Sequence, residues 1–325
     1  MPTQPASERK VRFGLIGAGR IATKAVAPAF RKATNAELYA VASRDIRRAE
    51  ALTPVRAYGS YSDLIRDPDV EAVYIATHNG LHHSLTIEAA RHGKHVLCEK
   101  PLANNESECG EMLRTSEDAG CLLAEAFMYR HHPQIAKAKE LVVAGRIGEL
   151  QVVEASFRFN LTRQDDVRLD PAKGGGALLD VGCYCVNASR FFFGGEPVAV
   201  AALGHFHPTH GVDLSVQGAL DFDDGRYAVI SCGFDGGLHQ RVSLIGTAGV
   251  LTLNVAFNTR AAPAAITVQS EEESETIAFP PVDAFQLEIE NFASAIPGKS
   301  QPLLPPEDSV HNARVLDRIR QRLGV

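Results

Sequence analysis

The chain has 325 residues, 45% of them hydrophobic, which is enough to bury a large apolar interior; at this length single cores usually divide, so two domains are expected. Its 33 basic and 39 acidic residues are spread along the sequence and give a formal charge of -6, which offers no broad positive field and excludes nucleic acid as an expected partner. The six cysteines are scattered without CxxC pairs, and the apolar run from Val11 to Ile16 is too short for a signal or a membrane span, so the expectation is a cytoplasmic protein with reduced thiols.

From Val11 to about Phe127, short apolar or β-branched runs alternate with helical stretches, the pattern of βαβ units building a parallel sheet. Strands are predicted at Val11–Ile16, Leu38–Ser43, Ala72–Thr77, His95–Cys98 and Cys121–Ala124, and helices at Ile21–Ala33, Ile46–Leu52, His83–Gly93 and Glu106–Ala119. Residues 1–127 therefore read as a doubly wound α/β unit, a Rossmann domain. Between the first strand and helix, Gly17-Ala18-Gly19-Arg20-Ile21-Ala22 matches G-x-G-x-x-G/A in the strand-loop-helix setting that gives the motif meaning. Gly17 permits the tight turn, Gly19 admits a pyrophosphate, and Ala22 lets the helix sit close to the strand, its first amides (Arg20, Ile21) facing the phosphates.

The residues closing the second strand choose the coenzyme, and here they are Ser43-Arg44-Asp45. A serine followed by an arginine able to fork onto phosphate oxygens favours NADP(H), whereas Asp45 keeps NAD(H) open. Arg48 is either a second phosphate partner or a helix-surface charge. Thr77, Asn79 and His82 lie at the carboxyl end of a strand or just beyond it, where doubly wound folds place ligand contacts, and are expected to border the nicotinamide. His83 is expected on the solvent side of its helix.

After a helix over Pro133–Ala144 the texture changes to longer alternating strands. In Gln151–Phe159, Val153, Ala155, Phe157 and Phe159 share one face while Glu154 and Arg158 share the other. Leu214–Phe222 with Arg226–Phe234, and Val242–Ile245 with Val250–Leu253, read as hairpins. A helix follows Gly174-Gly175-Gly176, and two tail helices, Phe285–Ile296 and Ser309–Leu323, are expected to pack across both units. The acidic run 271–275 reads as a solvated loop or strand edge. His205, His207 and His210 read as an exposed loop rather than a metal site, because no carboxylate or cysteine with ligand spacing joins them. Residues 128–325 thus form an α+β substrate-binding and oligomerisation domain on a large, mostly antiparallel open sheet.

Glu99-Lys100-Pro101 within GKHVLCEKPL, and the run from Gly174 to Tyr184 (GGGALLDVGCY), together with the cofactor loop, resemble the Gfo/Idh/MocA oxidoreductase family. ATHNGLHH, EAFMYRHHPQ and IGTAG continue the match in order, and the ASRD, EAFMYR and D-x-G-x-Y strings look most like its dihydrodiol and NADP-dependent D-xylose dehydrogenase branches. Relatives usually carry proline where this chain has His78.

The resemblance carries the family's lysine onto Lys100, its aspartate onto Asp180 and its variable His/Tyr position onto Tyr184. It implies Tyr184 as proton donor and acceptor, Lys100 polarising the carbonyl oxygen, and Asp180 orienting the substrate hydroxyl or the lysine, with a cis peptide after Lys100. Glu99 and Lys100 would border the cofactor. Glu125, Arg130 and His131 lie at the domain junction and Arg168 precedes the glycine run; of these Arg130, His131 and Arg168 are candidate substrate contacts, with Asn160 and Asn187 weaker.

Elementary chemistry agrees, since hydride transfer to a carbonyl leaves alkoxide charge that needs a proton and a positive neighbour. Asp180 and Tyr184, four apart on one helix, share a face. A phenol titrates at about 10, and an ammonium beside it is expected to bring that down.

The function implied is NADP(H)-dependent hydride transfer at a carbinol or carbonyl carbon of a sugar, polyol or cyclic diol, by a homodimer or homotetramer. The alternatives are an NAD(H)-linked inositol or deoxysugar dehydrogenase of the same family, and a non-catalytic dinucleotide sensor.

Overall fold

The computed structural model describes residues 9–260, 262–296, 298 and 301–325. In its first part, β1 (Val11–Ile16), β2 (Ala36–Ala42), β3 (Arg56–Tyr58), β4 (Ala72–Ile75), β5 (His95–Glu99) and β6 (Leu123–Ala126) alternate with helices. α1 enters through a π-helical turn, Ala22–Val26, and continues as Ala27–Lys32; α2 (Ile46–Glu50), α3 (Tyr61–Arg66), α4 (His82–Arg91) and α5 (Glu106–Asp118) follow. The six strands are all parallel, in the order β3-β2-β1-β4-β5-β6. The strand order therefore reverses next to β1, which opens a crevice at the carboxyl ends of β1 and β4. β4 is buried along its whole length, as a strand covered by helices on both faces must be. β3 and α3 are absent from the sequence reading: β3 is three residues at a sheet edge, too short to show a period.

Beyond α6 (Pro133–Val143) come β7 (Leu150–Asn160) and α7 (Cys183–Phe193), the latter entered through a second π-helical turn, Leu178–Gly182. β8 (Ala199–Phe206), β9 (Asp213–Asp221), β10 (Tyr227–Gly233), β11 (Asp235–Gly246), β12 (Val250–Leu253), β13 (Ala265–Gln269) and β14 (Ser274–Ala278) complete an eight-stranded sheet with β7. Its order is β14-β13-β12-β11-β7-β10-β9-β8, with β7 and β10 parallel and the other pairs antiparallel. Both expected hairpins are present. In β7, Val153, Ala155 and Phe157 are buried while Glu154 is exposed, so one face of the sheet carries the core.

β8, β13 and β14 were not expected. His205 accordingly stands on β8 rather than in a loop, with His207 and His210 just beyond it, and the acidic run ends on the edge strand β14.

The tail helices tie the two sheets together. On α8 (Ala284–Ala295), Glu290 accepts from the Thr34 amide at 2.9 Å, and Asp283 just before the helix pairs with Lys32 at 2.8 Å. On α9 (Pro306–Leu323), Arg314 pairs with Glu106 of α5 at 2.8 Å, while Arg318 reaches the Pro197 and Val198 carbonyls beside β8. Among the described residues no helix is long and apolar enough to cross a membrane. The cysteines are free, and all but the half-buried Cys121 are buried.

Candidate active site

The chain leaves β1 through Gly17 at φ +101°, where a Cβ would stand 2.7 Å from the Ala76 carbonyl oxygen, so both conformation and space demand glycine. A Cβ on Gly19 would meet only that oxygen, at 4.0 Å, which leaves open room over the start of the helix. Thr23 N donates to Gly19 O at 3.0 Å, so the helix begins at once, with Arg20 and Ile21 exposed at its mouth. This is the cradle a diphosphate needs, and the residues fit a dinucleotide.

At the end of β2, Ser43 is buried and Arg44 and Arg48 are exposed, with no side-chain hydrogen bond among the described residues. Asp45 is engaged: it caps α2 through the Arg47 amide at 3.2 Å and takes the Arg47 guanidinium at 3.0 and 3.1 Å, which holds its carboxyl below the usual range. The carboxylate that suits a ribose 2′-hydroxyl is thus occupied, while cations that suit a 2′-phosphate are free.

β5 ends in Glu99, and the Lys100–Pro101 peptide is cis. Lys100 Nζ donates to Asp180 twice, at 2.6 Å to the carbonyl oxygen and 3.0 Å to Oδ1; Arg168 Nε donates to Oδ2 at 2.5 Å. Three distant segments meet here because of local devices. Gly176, at φ +114°, lets the chain pass so close to Asp213 that a Cβ would lie 2.2 Å from its Oδ1, and Asp213 Oδ2 then accepts from Leu178 N at 2.6 Å, pinning the turn that bears Asp180. Arg168 comes from a 3₁₀ turn capped by Asp166. Burial opposes both charges of the central pair, but Arg168 and Lys100 hold Asp180 well below the carboxylate range, and Asp180 holds Lys100 above the ordinary lysine value. The lysine is therefore an ammonium.

Tyr184 departs from expectation. The Lys100 ammonium lies over its ring, 5.0 Å from the centroid, not beside its oxygen. The ring is enclosed by Phe127, Tyr129, Phe157 and Phe257, with centroids 5.3–5.7 Å away, and is only 5% exposed. Its hydroxyl donates to Met128 Sδ at 3.5 Å. Burial, with the charge of Glu99, lifts the phenol well above its ordinary value, so the expected lowering by Lys100 is overturned.

Other candidates divide. Arg168 joins the cluster; Arg130 and His131 do not. Arg130 stacks on Phe191, 3.7 Å from the ring centroid, and donates to Asn187 at 3.3 Å, while His131 lines a separate cavity with Glu125, Glu288 and Asn291. Asn187 is a structural hub for Tyr129, Arg130 and Asp308. Asn160 is an exposed strand end, and His83 faces solvent beside Glu111 at 3.0 Å.

His82 is also corrected. It is fully buried, with Nδ1 donating to Pro101 O at 2.9 Å and Nε2 3.4 Å from Thr77 O, so it holds the loop rather than a cofactor. Asn79 donates to Gly174 O at 2.8 Å, joining the two halves, and Thr77 and His78 are half-buried in the same loop. Glu99 is buried, taking the Tyr74 hydroxyl at 3.0 Å.

Sequence reading missed the aromatic enclosure, Met128, Tyr74 and Glu288. Only Glu288 left a trace, a charged residue on the Phe285–Ile289–Phe292 stripe of α8.

Comparison with known proteins agrees with this geometry. Residues 11–127 match the model of an oxidoreductase family with an NAD-binding Rossmann fold, and residues 135–252 match the GFO/IDH/MocA C-terminal domain. D-xylose 1-dehydrogenase (NADP(+)) 2 of Haloferax volcanii is 40% identical over 94% of this chain and 95% of its own. Trans-1,2-dihydrobenzene-1,2-diol dehydrogenase of Oryctolagus cuniculus is 33% identical over 89% and 91%. The crystal structure of a 3-ketoreductase from Actinomadura kijaniata, in complex with NADP and TDP-benzene, superposes with a TM-score of 0.91 at 29% identity, covering 97% of this chain and 98% of that one. A Rossmann cradle, a lysine-aspartate-tyrosine cluster at its crevice and a full-length match to such enzymes make this chain a member of the Gfo/Idh/MocA oxidoreductase family.

Proposed function

We propose that this protein transfers hydride between NADP(H) and a carbinol or carbonyl carbon of a sugar, polyol or cyclic diol. The observation that carries the reading is the meeting of Lys100, Asp180, Arg168 and Tyr184 at the end of β5, beside an open glycine loop. A nicotinamide held there supplies or accepts the hydride. Gly17, Gly19, Arg20 and Ile21 border the diphosphate, Ser43 and Arg44 the 2′-phosphate, and Thr77, Asn79, Glu99 and Lys100 the nicotinamide end. The Haloferax volcanii relative is named for NADP(+), and the free Arg44 with an occupied Asp45 supports the same coenzyme here.

Tyr184 is the proton donor and acceptor. Burial keeps its phenol neutral, and a thioether is a weak acceptor, so the proton is available to an alkoxide forming nearby. Lys100 places positive charge where that oxygen develops, and Asp180, clamped by Arg168, aims it. Solved forms of the Actinomadura kijaniata ketoreductase include one with a tyrosine changed to phenylalanine and one with a lysine changed to alanine, the two positions as far apart in that chain as Lys100 and Tyr184 are here.

Residues 1–127 would act as the coenzyme domain and 128–325 as the substrate and pairing domain. The outer face of the second sheet, where Tyr227, Val229 and Leu203 are exposed, pairs two copies into a homodimer or a larger assembly.

Turnover of a panel of aldoses and diols, followed by nicotinamide absorbance, tests the reading. Tyr184→Phe and Lys100→Met should each lower kcat by about a hundredfold or more while coenzyme still binds. Tight NADP(H) binding without turnover of any substrate would instead identify a dinucleotide sensor.

A further inference from the structure

Behind the proposed active site lies a buried polar trio, Tyr74, Glu99 and Glu288, of which the reaction as described leaves Tyr74 and Glu288 unused. Tyr74 of β4 is fully buried and its hydroxyl oxygen stands 3.0 Å from Glu99 Oε1 and 3.4 Å from Glu288 Oε2. Glu99 is 7% exposed and Glu288, from α8, only 1%. Two carboxylates therefore share one phenol oxygen in an interior from which water is largely excluded. A phenol has a single proton to give, so it can satisfy one anion and must accept from the other partner.

The surrounding charges do not neutralise a second anion. Lys100, the nearest ammonium, is bonded to Asp180, and the Lys100 amide contacts Glu99 Oε2 at 3.3 Å, so its influence falls on Glu99. On its other side Glu288 faces a cavity lined by His131, Glu125 and Asn291. Burial, helped by the Arg130 charge, pushes His131 down to about 3, so its imidazole is neutral; Glu125 is itself pushed up to about 7. Glu288 Oε1 is buried with no hydrogen-bond partner among the described residues, which a neutral acid tolerates far better than an anion.

We propose that Glu288 holds the extra proton of this trio and acts as a positioning residue: as a neutral acid it donates to Tyr74, whose hydroxyl donates to Glu99, leaving Glu99 as the single anion behind Lys100. Burial and the neighbouring Glu99 charge both push the Glu288 carboxyl upward, in agreement. The functional consequence rests on the reading of Lys100 and Glu99 as active-site groups. Glu99 can face the coenzyme and the Lys100 backbone as a fixed acceptor only if its other oxygen is held by Tyr74 and no second negative charge competes for that hydroxyl.

Infrared difference spectra of the protein without substrate test the proton directly. In a Glu125→Gln background, which removes the other raised carboxyl of that cavity, a carbonyl stretch of a buried carboxylic acid, shifted in D2O, should be present at neutral pH and be lost when Glu288→Gln is added; a spectrum unchanged by the second substitution overturns the proposal. This readout needs no turnover, so it is separate from any failure of the oxidoreductase reading. In kinetics, Glu288→Gln, whose amide donates to Tyr74 as the acid does, should keep coenzyme KM and kcat within about threefold. Glu288→Asp, one methylene short of Tyr74, should lose about tenfold, the scale of one buried hydrogen bond. A larger loss in Glu288→Gln than in Glu288→Asp would mean that the negative charge itself is required, and would also overturn it.

Discussion

His82 packs between two backbone carbonyls with no exposed surface, and neutral imidazole has one N–H, which goes to Pro101 at 2.9 Å. Burial, partly opposed by those carbonyls, lowers it from 6.5 to about 4. Because the folded value is depressed, the unfolded chain binds the proton more readily; the stabilisation is fully present above pH 6.5 and is lost as pH falls from 6.5 toward 4. Denaturant midpoints should fall with acid over that window by the equivalent of about 2–3 kcal/mol in wild type. His82→Asn should flatten the response, and equal pH dependence in the two proteins would refute the assignment. At the coenzyme end, Arg44→Ala should raise the KM for NADP(H) about tenfold or more and leave NAD(H) nearly unchanged, since the charge-assisted bonds at stake are worth about 1.5–3 kcal/mol. An unchanged coenzyme ratio would return the choice to Asp45.

Elements carry the next set of constraints. The glycine loop, the π turn before α7 and the 3₁₀ turn of Arg168 are short pieces whose shape is set by single residues: Gly17, Asp213 and Asp166. Gly17→Ala should therefore do two things at once. It strains a left-handed backbone and drives a methyl group against Ala76 O, which should cost about 2 kcal/mol or more, and it should abolish NADP(H) binding measured by fluorescence titration. The loop was legible because its motif, preceding strand and following helix are contiguous. β3, β8, β13 and β14 were not legible: β3 is three residues long, and in β13 and β14 only Ile266 and Val268 are buried, too few to show alternation. Their strand state comes from pairing with neighbouring strands, through cross-strand partners such as Leu253↔Ile266 and Ile266↔Ile277.

The molecule as a whole is two sheets joined through α8 and α9, with the proposed site at the junction. The outward face of β8, β9 and β10 presents Ala201, Ala219 and Val229 in register, with Leu203 and Tyr227 in the flanking rows opposite Gln217 and Asp221, a partly apolar patch that the proposed pairing of copies would cover. Light scattering on Tyr227→Glu/Val229→Lys should give a monomer of unchanged fold by circular dichroism, whereas a wild-type protein that is already monomeric would remove the proposal.

What the sequence determined by itself was local or ordered along the chain: the βαβ alternation, the phosphate-binding loop, and the identities of Lys100, Asp180, Arg168 and Tyr184. The tertiary structure alone decided the states of those groups. It turned the Tyr184 hydroxyl toward Met128, enclosed His82 between two backbone carbonyls, laid Arg130 on Phe191, and set Glu288 against Tyr74 and Glu99. The reason is physical: a side chain's direction and proton affinity depend on burial and on charges within a few ångströms, and those neighbours come from residues far away in the sequence.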